Sequence, residues 1–473
     1  MNTWHIELAG PESATSRESY VGLVRDTLTG RHTLRLPIGY ALPPDPSPHE
    51  HLGRITRAIA HFCTLFADRK IADSPRDGLL GGSNGERLTP GDAPAPGFSR
   101  MRACLALIRR LRNPHFLAEV RKPGLNSQFN DRQISRALEH AHFLPDGTPV
   151  FEQMWGSSRQ LGVKHEDYSG LAVWIALDAL GHLFPDDMDT ALSPGLRAEC
   201  AAIAAQFANA YRLSPDASLY AGKSDRTLAT LRAALARMST QAPAVFAATR
   251  ELQHLLDVYL NHEMNGPGDI RGVAGFYQVW EAACLQHARA RYGDDRIHTC
   301  DPQFAGPATP ATLRRWQDNR ERVFARNGRD RRPDLVLLNE NGRHTLIDFK
   351  YSMAFGRDAA FYSRRPAVPD LKSLKPTRDS IEEFKEALKL AQDVNNAEAY
   401  RWLYMQHQLE THQDDAVDIE FWVPAFEAEA MPVAWSVHGI GSRHAGSGFR
   451  GFSVRHQPTA TLLSDFAAKF RLL

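Results

Sequence analysis

The sequence predicts an α/β C-terminal domain preceded by a mostly α-helical region with a short β-containing start. Three observations predict it. Two strand-like apolar runs, 335–338 and 345–351, flank Asn339-Glu340-Asn341-Gly342. Helical periodicity dominates from Met101 to Met264. Gly-, Pro- and Ser-rich stretches punctuate the chain at 72–99 and at Asn265-Gly266-Pro267-Gly268.

Taken in order, residues 1–71 read as a small α+β segment, with an extended run from His32 to Ile38 and helical spacing from about Glu50 to Lys70. Residues 72–99 have the composition of a flexible loop or linker. Residues 100–265 form a helical domain, expected to bind a partner or DNA, with helices near 101–112, 130–142, 193–211, 225–239 and 243–262. Residues 266–473 form the last domain. It opens with a helix from about Gly275 to Tyr292, whose buried side carries Phe276, Val279, Ala283 and Leu285.

The two strand-like runs predict a hairpin, because Asn-Gly tolerates the positive φ of a tight turn. Side chains on a strand alternate faces, so Asp348 and Lys350 share one face while Ile347, Phe349 and Tyr351 turn to a core. A charged pair on an apolar strand is costly unless solvated or paired. Asp334, following Pro333 at the head of the partner strand, can meet that pair at one end of the hairpin. Two carboxylates suit Mg²⁺, which prefers hard oxygen ligands and keeps several waters. Asp334 and Asp348 can supply carboxylates and the Phe349 carbonyl a third oxygen, while Lys350 orients water or steadies phosphate charge. An edge-strand charge pair that blunts the sheet is the plainer alternative.

Pro333-Asp334 followed by Asp348-Phe349-Lys350 resembles the signature of the PD-(D/E)XK nuclease superfamily. The resemblance implies a restriction-endonuclease-like fold, a mixed central sheet flanked by helices, with Asp334 and Asp348 on metal and Lys350 assisting catalysis. The superfamily also carries an acidic residue on the preceding helix, a place Glu281 can fill. Phe276-Tyr277-Gln278-Val279-Trp280, the stretch from Asp393 to Tyr400 and Arg401, and the strand Ile419 to Pro424 resemble McrC-like restriction nucleases over about residues 270 to 460. That group carries Glu where this chain has Gln278. Glu281, three positions on, shares the helix face, so the third acidic position lies open between the two. The group's N-terminal regions dock onto a partner ring, which implies a separate AAA+ ATPase or GTPase subunit.

Arginines crowd the stretch before Asp334: Arg314, Arg315, Arg320, Arg322, Arg326, Arg329, Arg331 and Arg332. Guanidinium forks match phosphate, so this is the candidate DNA groove. Trp316 and Phe324, interleaved with it, can stack or pack. Tyr400 and Arg401 are further candidates for phosphate contact, and Arg357 to Arg378 reads as a basic loop.

Composition bounds the rest. Apolar residues make up 43% of 473, enough for packed cores, and the net charge of +1 argues against coating nucleic acid through bulk charge. No apolar run approaches membrane-spanning length, and the start lacks the pattern of a signal peptide. Five scattered cysteines form no CxxC pair, which fits a reducing cytoplasm. Ala217 to Ser224 imitates a phosphate loop but lacks its first glycine and a preceding strand.

The expectation is a Mg²⁺-dependent endonuclease acting on DNA, with Mn²⁺ able to substitute, working in restriction or anti-phage defence. The alternative is a non-catalytic DNA-binding or adaptor subunit with a decayed core. A third is a helical interaction protein.

Overall fold

The structure is a computed structural model. It describes residues 5–8, 21–25, 32–40, 48–65, 96–113, 142–150, 165–220, 224–241, 247–261, 270–273, 276–301, 305–324, 333–340, 342–351, 393, 396–407, 417–425, 432–433 and 452–472. The chain is mixed α/β and divides into two units, one of residues 1–98 with 264–471 and one of residues 99–263 with 472–473.

In the first unit a four-stranded sheet joins β1 (His5–Leu8), β2 (Val21–Arg25), β3 (His32–Leu36) and β6 (Ile270–Val273) in the order β1-β3-β2-β6. β1 runs parallel to β3, and β2 lies antiparallel to both β3 and β6. Helix α1 (Pro48–Leu65) buries Ile55, Ile59, Phe62 and Cys63.

The second sheet of this unit has the order β11-β12-β10-β9-β8-β7. β7 (Ile297–Cys300), β8 (Leu335–Leu338) and β9 (His344–Phe349) form an antiparallel meander. β10 (Val417–Ala425) is parallel to β9, β12 (Ser453–Pro458) is parallel to β10, and β11 (Pro432–Val433) is antiparallel to β12. β9 is therefore an inner strand, and all six of its residues are buried. This removes the edge-strand reading of Asp348 and Lys350. The hairpin turn is also wider than Asn-Gly alone: the Asn339 amide donates to the Arg343 carbonyl at 2.7 Å, with Gly342 at φ +79°.

Helices cover this sheet. Tyr277–Tyr292 precedes β7, and Pro310–Phe324 packs on β7 through Trp316, whose indole N–H donates to the Ile297 carbonyl at 2.9 Å. Helix 396–407 packs Tyr400 and Tyr404 against Phe324, Val336 and Leu346. Thr459–Ala468 packs on α1, with His61 edge-on to Phe466 at 4.6 Å.

The turn after β3 joins the two sheets. The Ile38 amide donates to the Tyr351 hydroxyl at 2.9 Å, and the Thr459 hydroxyl donates to the Ile38 carbonyl at 3.0 Å. Gly39 sits at φ +67°, and a Cβ there would lie 2.7 Å from the Ala425 nitrogen. Both the left-handed conformation and the close approach demand glycine. Gly39→Ala is expected to cost at least about 2 kcal/mol, since it adds backbone strain to a steric clash; urea unfolding measures it, and an unchanged midpoint would contradict the tight junction.

The second unit is helical, with most of α2 (Pro96–Arg110), then His165–Leu183, Pro194–Ala210, Ser224–Gln241 and Ala247–Asn261, plus a short hairpin of β4 (His142–Phe143) and β5 (Pro149–Val150). His165–Leu183 was absent from the sequence reading. It buries Leu171, Val173, Ile175, Ala176, Ala179 and Leu180, and packs against the three helices that follow it. A helix apolar on nearly every side has no amphipathic period to detect. The expected helix at 130–142 and most of the 72–99 loop fall outside the described residues. Among the described residues, no helix is long and apolar enough to cross a membrane.

Candidate metal and phosphodiester site

Asp334, Asp348 and Lys350 converge where β8 begins and β9 ends. The β8–β9 register pairs Leu335 with Ile347, so the residues just beyond that pair are Asp334 and Asp348. Both are 8% exposed. One Asp334 carboxylate oxygen accepts the Phe349 amide at 2.7 Å, and the Asp334 carbonyl accepts the Asp301 amide at 3.1 Å. The Lys350 amide donates to the Trp422 carbonyl at 2.9 Å, which continues the parallel pairing with β10. The Lys350 ammonium lies 2.8 Å from Asp348 Oδ2 and 2.9 Å from Asp393 Oδ1.

Burial away from water pushes the Asp348 carboxyl up to about 7. Lys350 pulls it down, while the Asp334 charge and a hydrogen bond with Asp334 push it further up. A pair of neighbouring carboxylates with one held near neutral pH is a site that gains from a cation.

The donors fit Mg²⁺. The Phe349 amide faces Asp334, and a residue's N–H and C=O point to the same side of a strand. Continuing the Leu335–Ile347 register by two residues sets Phe349 opposite Pro333, which has no N–H to donate. The Phe349 carbonyl therefore lacks a ladder donor at that position. Two carboxylates and this carbonyl make three hard oxygens, a set Mg²⁺ accepts with water completing its shell. Among the described residues, no three His, Cys, Asp or Glu side chains gather into a metal-sized group.

Glu281 lies half-buried on the helix Tyr277–Tyr292. Cys284, one turn on, is fully buried, and its thiol is pushed up by burial first and then by the charges of Asp334 and Glu281. Among the described residues no carboxylate triad forms. Gln278 is buried, its amide N–H₂ donates to the Tyr277 hydroxyl at 3.2 Å, and its Oε1 has no hydrogen-bond partner.

The other candidates divide. Arg326, Arg329, Arg331 and Arg332, and the basic loop 357–378, lie outside the described residues. Arg320 is turned inward, with a two-pronged pair to Asp301 at 3.2 Å on each oxygen, so it does not belong to a DNA groove. Trp316 and Phe324 pack in the core and offer no face to a base. Tyr400 is 3% exposed among Phe324, Val336 and Leu346, and its ring serves packing where phosphate contact was expected. Arg401 is buried and pairs with Glu398 at 2.7 Å. Asp393 is the site residue that the sequence reading left unassigned. Its signal was its place at the head of the segment leading to Tyr400.

No family model matches the chain, and neither curated proteins nor solved structures gave a match.

Proposed function

We propose that the chain is a metal-dependent hydrolase of phosphodiester bonds, an endonuclease of PD-(D/E)XK type. Within that class the reading is a DNA-cutting enzyme resembling the McrC-like restriction nucleases, at work in restriction or anti-phage defence. One observation carries the reading: Asp334 and Asp348 are buried together where β8 begins and β9 ends, with the Lys350 ammonium on Asp348. The order of elements supports it: a helix with Glu281, a hairpin with Pro333-Asp334 and Asp348-Phe349-Lys350, a helix through Tyr400 and a parallel strand through Pro424.

Asp334, Asp348 and the Phe349 carbonyl would hold Mg²⁺, or Mn²⁺ in its place. The ion would supply a more acidic water and a clamp on the phosphate oxygens. Lys350, held between two carboxylates, can hold the attacking water or the charge building on the phosphate. The arginines leading to Asp334, namely Arg326, Arg329, Arg331 and Arg332, supply candidate phosphate contacts. A separate AAA+ ATPase or GTPase partner rests on the resemblance alone.

Gln278, standing where the resemblance asks for Glu, favours a second reading, a DNA-binding or adaptor subunit with a decayed core. Cleavage separates the two. Wild type and Lys350→Ala are incubated with supercoiled plasmid and single-stranded DNA in Mg²⁺ or Mn²⁺. Wild type is expected to cut in metal and stop in chelator, and Lys350→Ala to slow by at least about 10²-fold. DNA binding with no cutting under either metal would favour the adaptor.

A further inference from the structure

Lys350 touches two carboxylates that belong to different parts of the sheet's surroundings. Asp348 is its near neighbour on β9, while Asp393 comes from beyond the hairpin and is itself helical. The two distances, 2.8 and 2.9 Å, are nearly equal. The lysine and both aspartates are largely buried, at 14%, 11% and 8% side-chain exposure. Where water is scarce, an ammonium that loses one carboxylate without a second is costly.

Resting on the reading of Asp334 and Asp348 as metal ligands, we propose that Asp393 is a positioning residue that draws Lys350 off Asp348 when a divalent cation binds. In the metal-free protein Lys350 neutralises Asp348. A cation and an ammonium compete for the same carboxylate, because each neutralises it. Asp393 gives the displaced ammonium a carboxylate already within reach, so Lys350 stays charged in the site and Asp348 becomes available. Without Asp393, one fewer carboxylate competes with Asp348 for Lys350, so the ammonium holds Asp348 more firmly against the cation. Asp393 therefore favours cation binding through Lys350, beyond any general attraction of its own charge.

A double-mutant cycle separates these two effects. Mn²⁺ and Mg²⁺ binding is titrated calorimetrically, without DNA, in wild type, Asp393→Asn, Lys350→Gln and the double variant, each checked for a cooperative melt. Asp393→Asn is expected to weaken binding about tenfold, a coupling of ordinary size for directly contacting residues. Lys350→Gln is expected to bind at least as tightly as wild type, and adding Asp393→Asn to it to change little. An equal loss in both backgrounds would reduce Asp393 to a distant charge and overturn the proposal, as would unchanged affinity in Asp393→Asn. If Asp393→Asn does not fold, weaker binding by Lys350→Gln than by wild type would overturn it, since removing the competitor must not cost affinity. Wild type that binds neither ion would overturn the metal site itself and this inference with it, whereas binding that ignores Asp393 would overturn this inference alone.

Discussion

Asp348→Asn is expected to reduce metal-dependent cleavage by at least about 10³-fold, on the scale seen when a group that stabilises transition-state charge is removed, while raising the melting temperature of the metal-free protein at pH 8. The second half follows from the sign of the titration. Asp348 ionises near pH 7 in the folded chain and near 3.8 in an unfolded one. The folded state therefore holds a proton that the unfolded state has lost, and the associated stability is present at low pH and fades as pH rises through 7. Asparagine carries no such penalty. Melts in chelator should show the variant's advantage growing from pH 5 to pH 8 by a few degrees. Adding Mg²⁺ at pH 8 should stabilise wild type and leave the variant where it was. Ion binding should also release a proton, so affinity should fall as pH drops below 7. An advantage that stays flat across this range would mean that Asp348 titrates as an ordinary exposed carboxyl.

Asp301→Ala is expected to destabilise the first unit by about 3–5 kcal/mol, because it strands a buried guanidinium. Arg320 and Asp301 are 8% and 4% exposed and meet through both prongs. The same Asp301 gives its backbone amide to the Asp334 carbonyl, so the pair braces the strand that begins at the candidate site. Denaturant unfolding measures the loss. Arg320→Met with Asp301→Leu should recover much of it, since an apolar pair of similar bulk avoids both desolvation costs. Failure of the double variant to recover would point to a role for the charges beyond filling space.

Local signals carried the hairpin. Apolar alternation, a glycine turn and a proline-aspartate head are all near neighbours in sequence, and β8 and β9 lie where they point. Long-range partnerships were hidden. Nothing in the spacing of Asp393 says that it will meet Lys350, and nothing in Arg320 separates it from the arginines around it until β7 brings Asp301 alongside. Tyr400 misled for a related reason. An aromatic on a helix beside a charged site reads equally as a contact or as packing, and only the arrival of Phe324 and Leu346 decides. The pairing of β2 with β6 was unreadable because the sequence of the whole helical unit separates the two strands along the chain.

That last feature governs the order in which the chain can become structured as it is made. Synthesis delivers β1, β2 and β3 first, yet their sheet is completed by β6, and their turn at Ile38 waits for Tyr351 and Thr459. The helical unit between them has all but its last two residues in hand by Glu263. Domains tend to form as their sequence emerges, and contacts far apart in sequence form late. β1, β2 and β3 can pair among themselves early, but the outer edge of β2 stays unpaired until β6 is made. A nascent chain stalled after Glu263 would carry a nearly complete helical unit beside N-terminal strands exposed to chaperones, proteases and one another.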